Sequence, residues 1–111
     1  MMKMAISSAA SALLRALTAR AGTARDRILL TDVQSVDWQS LTFNGERHHI
    51  SLRVTGAECD SAVKRMCSGL EDAEFSIPGL IVADIGVLHG PKRAFDGSIT
   101  VAIEALTVSA D

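Results

Sequence analysis

His48 and His49 are the residues of this chain best suited to binding a metal or exchanging protons. They lie in an alternating run in which His48, Ile50, Leu52 and Val54 share one side. Neighbours along a strand project to opposite faces, so the two rings cannot chelate one ion together. Other ligands would have to come from a distance, and Cys59 and Cys67 do not form a Cys-x-x-Cys arrangement. Both histidines therefore read as polar residues of a half-buried strand, and neither a metal nor a cofactor is expected.

The cysteines are the next candidates, as nucleophiles with a histidine partner. Both fall on an apolar helical stripe, where a thiol behaves as a small hydrophobe. Eight residues apart in one helix, they are separated by about 12 Å along the axis, beyond the reach of a disulfide. Two unpaired thiols suit a reducing compartment, so the cytoplasm is the expected location. Glu71 and Asp72 have no partner carboxylate or cleft in prospect and read as a solvated helix end. Gly86, Gly90 and Gly97 do not lead from a strand into a helix, which a phosphate-binding loop requires. The chain is not expected to be an enzyme. Lys92 and Arg93 follow Pro91 in what reads as an exposed turn, and with Arg25 and Arg27 they form the local basic clusters. Such a pair is ordinary surface in a monomer and becomes a ring of charge in an oligomer.

The elements that hold these residues follow from periodicity. Residues 4–21 carry Ile6, Ala10, Leu13, Leu14 and Leu17 at helical spacing, with Gly22 as a stop. Residues 27–36 are aliphatic and read as a strand. Leu41 and Phe43 alternate before Asn44-Gly45, a strong hairpin signal. A two-residue loop there pairs Leu41 with His48 and places Leu41, Phe43, Ile50 and Leu52 on one face. Thr55 and Glu58 have the spacing of a capping box. Cys59, Ala62, Val63, Met66, Cys67 and Leu70 then form a continuous stripe that faces the sheet. Residues 80–88 are almost wholly apolar and read as a central strand, with Ile81, Ala83, Ile85 and Val87 opposite Asp84. A turn over residues 89–97 leads to a last strand over residues 98–109.

The predicted fold class is α+β. It comprises an antiparallel sheet of four to five strands with two helices on one face, in the order α-β-β-β-α-β-β. The 111 residues make one domain, with the helix at 4–21 and the sheet and second helix within 27–109. Hydrophobic residues make up 48% of the chain, but there is one Trp, three Phe and no Tyr, so stacking platforms for single-stranded nucleic acid are scarce. The net charge of −2 gives no general attraction to nucleic acid or an anionic membrane. It conceals an asymmetry, because residues 1–25 hold four basic residues and no acid. Ser7, Ser8, Ser11 and Arg15 interrupt the apolar stretch that a secretory signal needs, although Ala19-Arg20-Ala21 resembles a cleavage site. No stretch suits a bilayer span.

Two segments together resemble a known family. Residues 38–56, WQSLTFNGERHHISLRVTG, place a tryptophan, a Gly-Glu-x-His turn and an alternating strand before a helix that starts near Glu58. Residues 95–107, FDGSITVAIEALT, lead from an Asp-Gly turn into a strand ending Ala-Leu-Thr. Both are similar to the small tail completion, or tail terminator, proteins of long-tailed bacteriophages and of phage-derived gene transfer agents. The chain differs in its short segment before Trp38 and in having Thr55-Gly56 where the family often has an aromatic followed by Ser. It also has Ile99-Thr100 where the family often has His-Gly.

The resemblance implies a homo-oligomeric ring, six subunits in the family, that stops growth of the tail tube and joins the tail to the head connector. Its partners would be the tube protein, the connector protein and further copies of itself, with DNA only passing through the lumen and no membrane. It would assemble in the cytoplasm and end in the tail of a virion or phage-like particle. On this reading Lys92 and Arg93 form a loop that lines the lumen or meets a neighbouring ring. A second reading from the residues is a small cytoplasmic ligand-binding or regulatory module acting as a dimer. A third is an enzyme using His48, His49 or His89.

Overall fold

The computed structural model describes residues 6–110. The first helix, α1 (Ser8–Ala21), begins where the Ser7 hydroxyl accepts a hydrogen bond from the Ala10 amide at 3.1 Å. It therefore starts later than the predicted residue 4, and Ile6 is left exposed ahead of it. Met4 and Ala5, part of that prediction, lie outside the described residues. Gly22 closes the helix in the left-handed conformation, with its amide on the Ala19 carbonyl. Leu13, Leu17 and Ala21 are buried beneath it, each leucine contributing about 2 kcal/mol of apolar burial.

After a 3-10 turn at Arg25–Arg27 the chain forms a four-stranded antiparallel sheet. Its strands are β1 (Ile28–Gln39), β2 (Asn44–Val54), β3 (Leu80–Arg93) and β4 (Ile99–Ser109), in the spatial order β1-β2-β4-β3. The second helix, α2 (Cys59–Cys67), lies between β2 and β3 in sequence. The predicted class, a small α+β fold with an antiparallel sheet and two helices, is the observed one.

Three expectations about the strands need correction. Two strands precede α2, not three, because residues 28–39 form one continuous strand. The hairpin turns at Ser40–Phe43, where the Ser40 hydroxyl accepts the Phe43 amide and the Ser40 amide donates to the Phe43 carbonyl. Asn44 and Gly45 belong to β2, opposite Gln39 and Trp38. Glycine is needed at 45 because a Cβ there would lie 2.0 Å from the Thr107 carbonyl oxygen, so close does β4 approach. Consequently Ser35, not Leu41, stands opposite His48. Ile50 and Leu52 share the core face as expected, while Leu41 is left wholly in solvent at the turn.

The second correction concerns β3, which is an outer strand and not a central one. The central place belongs to β4, whose two neighbours are β2 and β3. An irregularity between Val82 and Asp84 also shifts the phase of β3. Ile81 pairs with Val108 and Ile85 with Ala105, so the two isoleucines face opposite sides. The third correction is that β3 runs on to Arg93, and the turn is confined to residues 94–98.

The capping box is not formed, since Thr55 is drawn back to the end of the β1–β2 ladder, its amide and hydroxyl both on the Arg27 carbonyl. The stripe on α2 is as predicted for Cys59, Ala62, Val63 and Met66, all buried. The helix ends at Cys67, and Leu70 reaches the core from a following 3-10 turn, Leu70–Asp72. Both helices pack on one face of the sheet, over Ile50, Leu52, Val54, Ile99, Val101 and Ile103. They are tied together by reciprocal arginines. Arg20 donates to the carbonyls of Met66 and Ser68, and Arg65 donates to that of Ala21 at 2.8 Å. Each side chain thus satisfies carbonyls that a helix end leaves open.

Candidate assembly surfaces

The adjacent histidines occupy different worlds. His48 faces the helices and is fully buried. Its Nδ1 is 2.7 Å from the Ser35 hydroxyl of β1 and its Nε2 is 2.8 Å from the Thr107 hydroxyl of β4. One ring therefore links three strands, and burial lowers its pKa against a smaller opposing influence from Glu46. His49 faces the other side, where it and Arg47 both reach Glu104 at 3.0 Å. The strand geometry expected from the sequence separates them as described.

Cys59 is buried at the start of α2, its thiol 3.4 Å from the Gly97 carbonyl. Cys67 is half-buried, and desolvation raises its pKa despite the counter-influence of Arg20. Both are free thiols. Glu71 and Asp72 are exposed in the 3-10 turn near β3. Among the described residues no three His, Cys, Asp or Glu side chains converge on one point. Gly90 and Gly97 hold positive φ in and near the β3–β4 turn, whereas Gly86 lies in the β3 ladder beside Glu71. His89 is exposed on β3, opposite Ala102.

Lys92 and Arg93 do not lie in a turn. They end β3, opposite Thr100 and Ile99, and as successive strand residues they serve opposite faces. Arg93 is tied on the helix side, where it pairs with Asp60 of α2 and donates to the Gly97 carbonyl at 2.8 Å. Lys92 is exposed and makes no ion pair among the described residues. The basic pair is therefore one structural arginine and one available lysine.

What remains is surface in the form of edges, the sheet face away from the helices and two turns. The described residues form a slab of 46 × 37 × 22 Å, with both described helices on one side of the sheet. The face away from the helices carries the Arg47–Glu104–His49 cluster at its centre. It also carries Arg53, whose guanidinium lies 3.5 Å from Asp96. The outer edges are β1 and β3, each long, with Leu29, Val36, Ile81 and Leu88 exposed along them. At the two turns Leu41 and Phe95 are fully solvated. A groove of about 480 Å³ opens between α1 and β1. Phe95 and the edge position of β3 were not singled out by sequence reasoning, since neither periodicity nor composition reports which strand lies outermost. No family model, curated protein or solved structure matches the chain. No helix among the described residues is long and apolar enough to cross a membrane.

Proposed function

We propose that this chain is a structural subunit that closes a ring with copies of itself, caps a phage-type tail tube and joins the tail to the head connector. The observation that carries the reading is the pair of long open edges on a sheet whose outermost strands run in opposite directions. Every neighbouring pair in the order β1-β2-β4-β3 is antiparallel, so β1 and β3 are antiparallel to each other. When one copy sets its β3 beside the β1 of the next, in the same orientation, the new pair is antiparallel as well. Such a head-to-tail contact satisfies the unpaired backbone groups of both edges and leaves a fresh edge for the following copy. A small rotation per step closes the series into a ring.

The resemblance of residues 38–56 and 95–107 to tail terminators supplies the place of that ring, its sixfold character and its partners. Within the proposal, Lys92 is the side chain of the basic pair left to meet DNA or an adjoining ring, since Arg93 is held by Asp60. The alternative, a dimeric ligand-binding module, finds support in the groove between α1 and β1.

Electron microscopy and native mass spectrometry of the purified chain, with and without tube protein, separate the two. Closed rings, formed alone or on the tube end, are expected. A species that stays a dimer on tubes that continue to grow would sink the ring. In the same assay Val36→Lys and Ile81→Lys, on the two edges, should each prevent ring closure while leaving the circular dichroism of the monomer unchanged.

A further inference from the structure

We propose that the β3–β4 turn of one copy, led by Phe95, seats in the α1–β1 groove of the next, so that the subunits join by a knob and a socket as well as by their edges. This rests on the ring reading above and names the contact that makes the joint. Phe95 is 107% exposed, so no burial among the described residues accounts for an aromatic ring there. Full solvation of phenylalanine forgoes about 2 kcal/mol of burial. The socket has an apolar floor of Leu14, Ile28 and Leu30 and is flanked by Thr18, Arg15 and Arg25. Its volume of about 480 Å³ leaves ample room for one phenyl ring.

Position selects this knob over the other one. Ile28 stands opposite Val54, Val54 opposite Ile99 and Ile99 opposite Arg93, so the socket and the Phe95 turn lie at the same end of the sheet. They also belong to opposite halves of the sheet, the socket beside β1 and the turn at the end of β3, where it joins β4. Copies placed side by side in one orientation therefore bring the turn of each to the socket of the next. Leu41 belongs to the turn at the far end, next to the row Trp38, Gly45, Val108 and Ile81. It would need an inverted neighbour.

Charge agrees with shape. The turn carries Asp96, which is kept ionised by hydrogen bonds from the Ser98 hydroxyl and amide and by Arg53. The socket is flanked by two arginines, and among the described residues Arg15 donates to the Ser11 hydroxyl and makes no ion pair. An arginine close to a seated phenyl ring adds a cation–π attraction.

The test uses the full chain, with light scattering coupled to size exclusion over a wide concentration range. Phe95→Ala removes the knob and keeps the socket, whereas Thr18→Trp fills the socket and keeps the knob. Each alone should weaken self-association roughly tenfold or more, as loss of an aromatic anchor does, with melting curves showing that both remain folded. Mixed together they retain one productive joint and should form dimers that do not extend. Leu41→Ala should associate like the wild type, and Arg15→Glu should weaken association. Wild-type rings that persist unchanged in Phe95→Ala overturn the knob and leave the ring reading standing. Wild-type chains that join through Phe95 but never close support the joint and reject the ring. A wild type that is monomeric throughout, or a mixture with no dimer, overturns the contact.

Discussion

At the scale of single residues, the polar bridge at His48 has the largest consequences. Its two hydroxyl partners come from β1 and β4, so removing the ring strands Ser35 and Thr107 and opens a void between three strands. His48→Ala should cost about 3 kcal/mol, combining a cavity with unsatisfied hydroxyls, read as a lower urea midpoint. The pH dependence has a definite sign. Burial lowers the folded pKa below the ordinary histidine value, so below that value the unfolded chain binds the proton more readily. Stability should therefore be full above the unfolded pKa of about 6.5 and decline as pH falls through it toward the folded value. Thermal melts from neutral to mildly acidic pH check this, and His48→Asn should flatten that part of the profile. Two glycines offer a sharper contrast. Gly45→Ala forces a Cβ against the Thr107 carbonyl and should cost about 3 kcal/mol or more. Gly79→Ala meets no atom within 4 Å and should cost only about 1 kcal/mol for its left-handed backbone. Equilibrium denaturation of the pair separates steric from conformational demand.

Between elements, the arginine exchange ties the end of α1 to the end of α2. Arg20→Leu keeps much of the packing volume but frees the Met66 and Ser68 carbonyls. It should lower stability by about 1 to 2 kcal/mol in urea denaturation, and Arg65→Leu should do the same through Ala21. The elements themselves were unevenly legible. The α2 stripe was readable because helical spacing alone decides which side of Cys59, Ala62, Val63 and Met66 is apolar. The first hairpin was not, because two turn signals compete within six residues. Ser40 wins by capping the Phe43 amide, and Gly45 is needed for close strand approach and not for turning. The apolar run in β3 suggested a central strand, yet exposure depends on what lies alongside, and β4 takes the inner position. The skipped residue near Ala83 then reverses the faces of Ile81 and Ile85, which no alternation pattern announces. Of the candidate site residues, opposite projection of His48 and His49 followed from strand geometry. The division of labour between Lys92 and Arg93 required Asp60 to be seen beside the strand end.

For the whole molecule, two unlike flanks make the slab directional. One flank presents α1, β1 and the socket, and the other presents β3 and the Phe95 turn. On the proposed contact these two sides are complementary, and a body of that kind extends in series, with curvature per step setting how many copies close it. The same directionality predicts that a tandem fusion of two chains, joined by a flexible linker, assembles into rings with half as many polypeptides. Mass photometry of the fused and single forms provides the count. The partly exposed ion pairs of Arg47 and His49 with Glu104 on the face away from the helices add little to stability.

The inner position of β4 also bears on how the chain folds. The β1–β2 hairpin needs only its own short turn, and β3 meets β4 across residues 94–98. Contact between the two hairpins requires Val54 to find Ile99 across the intervening loop and α2. Such long-range pairing is the slow step in a β-rich fold. Until it happens, β2 and β4 are open edges too, and the chain offers neighbours four pairing surfaces in place of two. On the ring proposal, the timing of that single seam divides orderly recruitment from indiscriminate strand exchange.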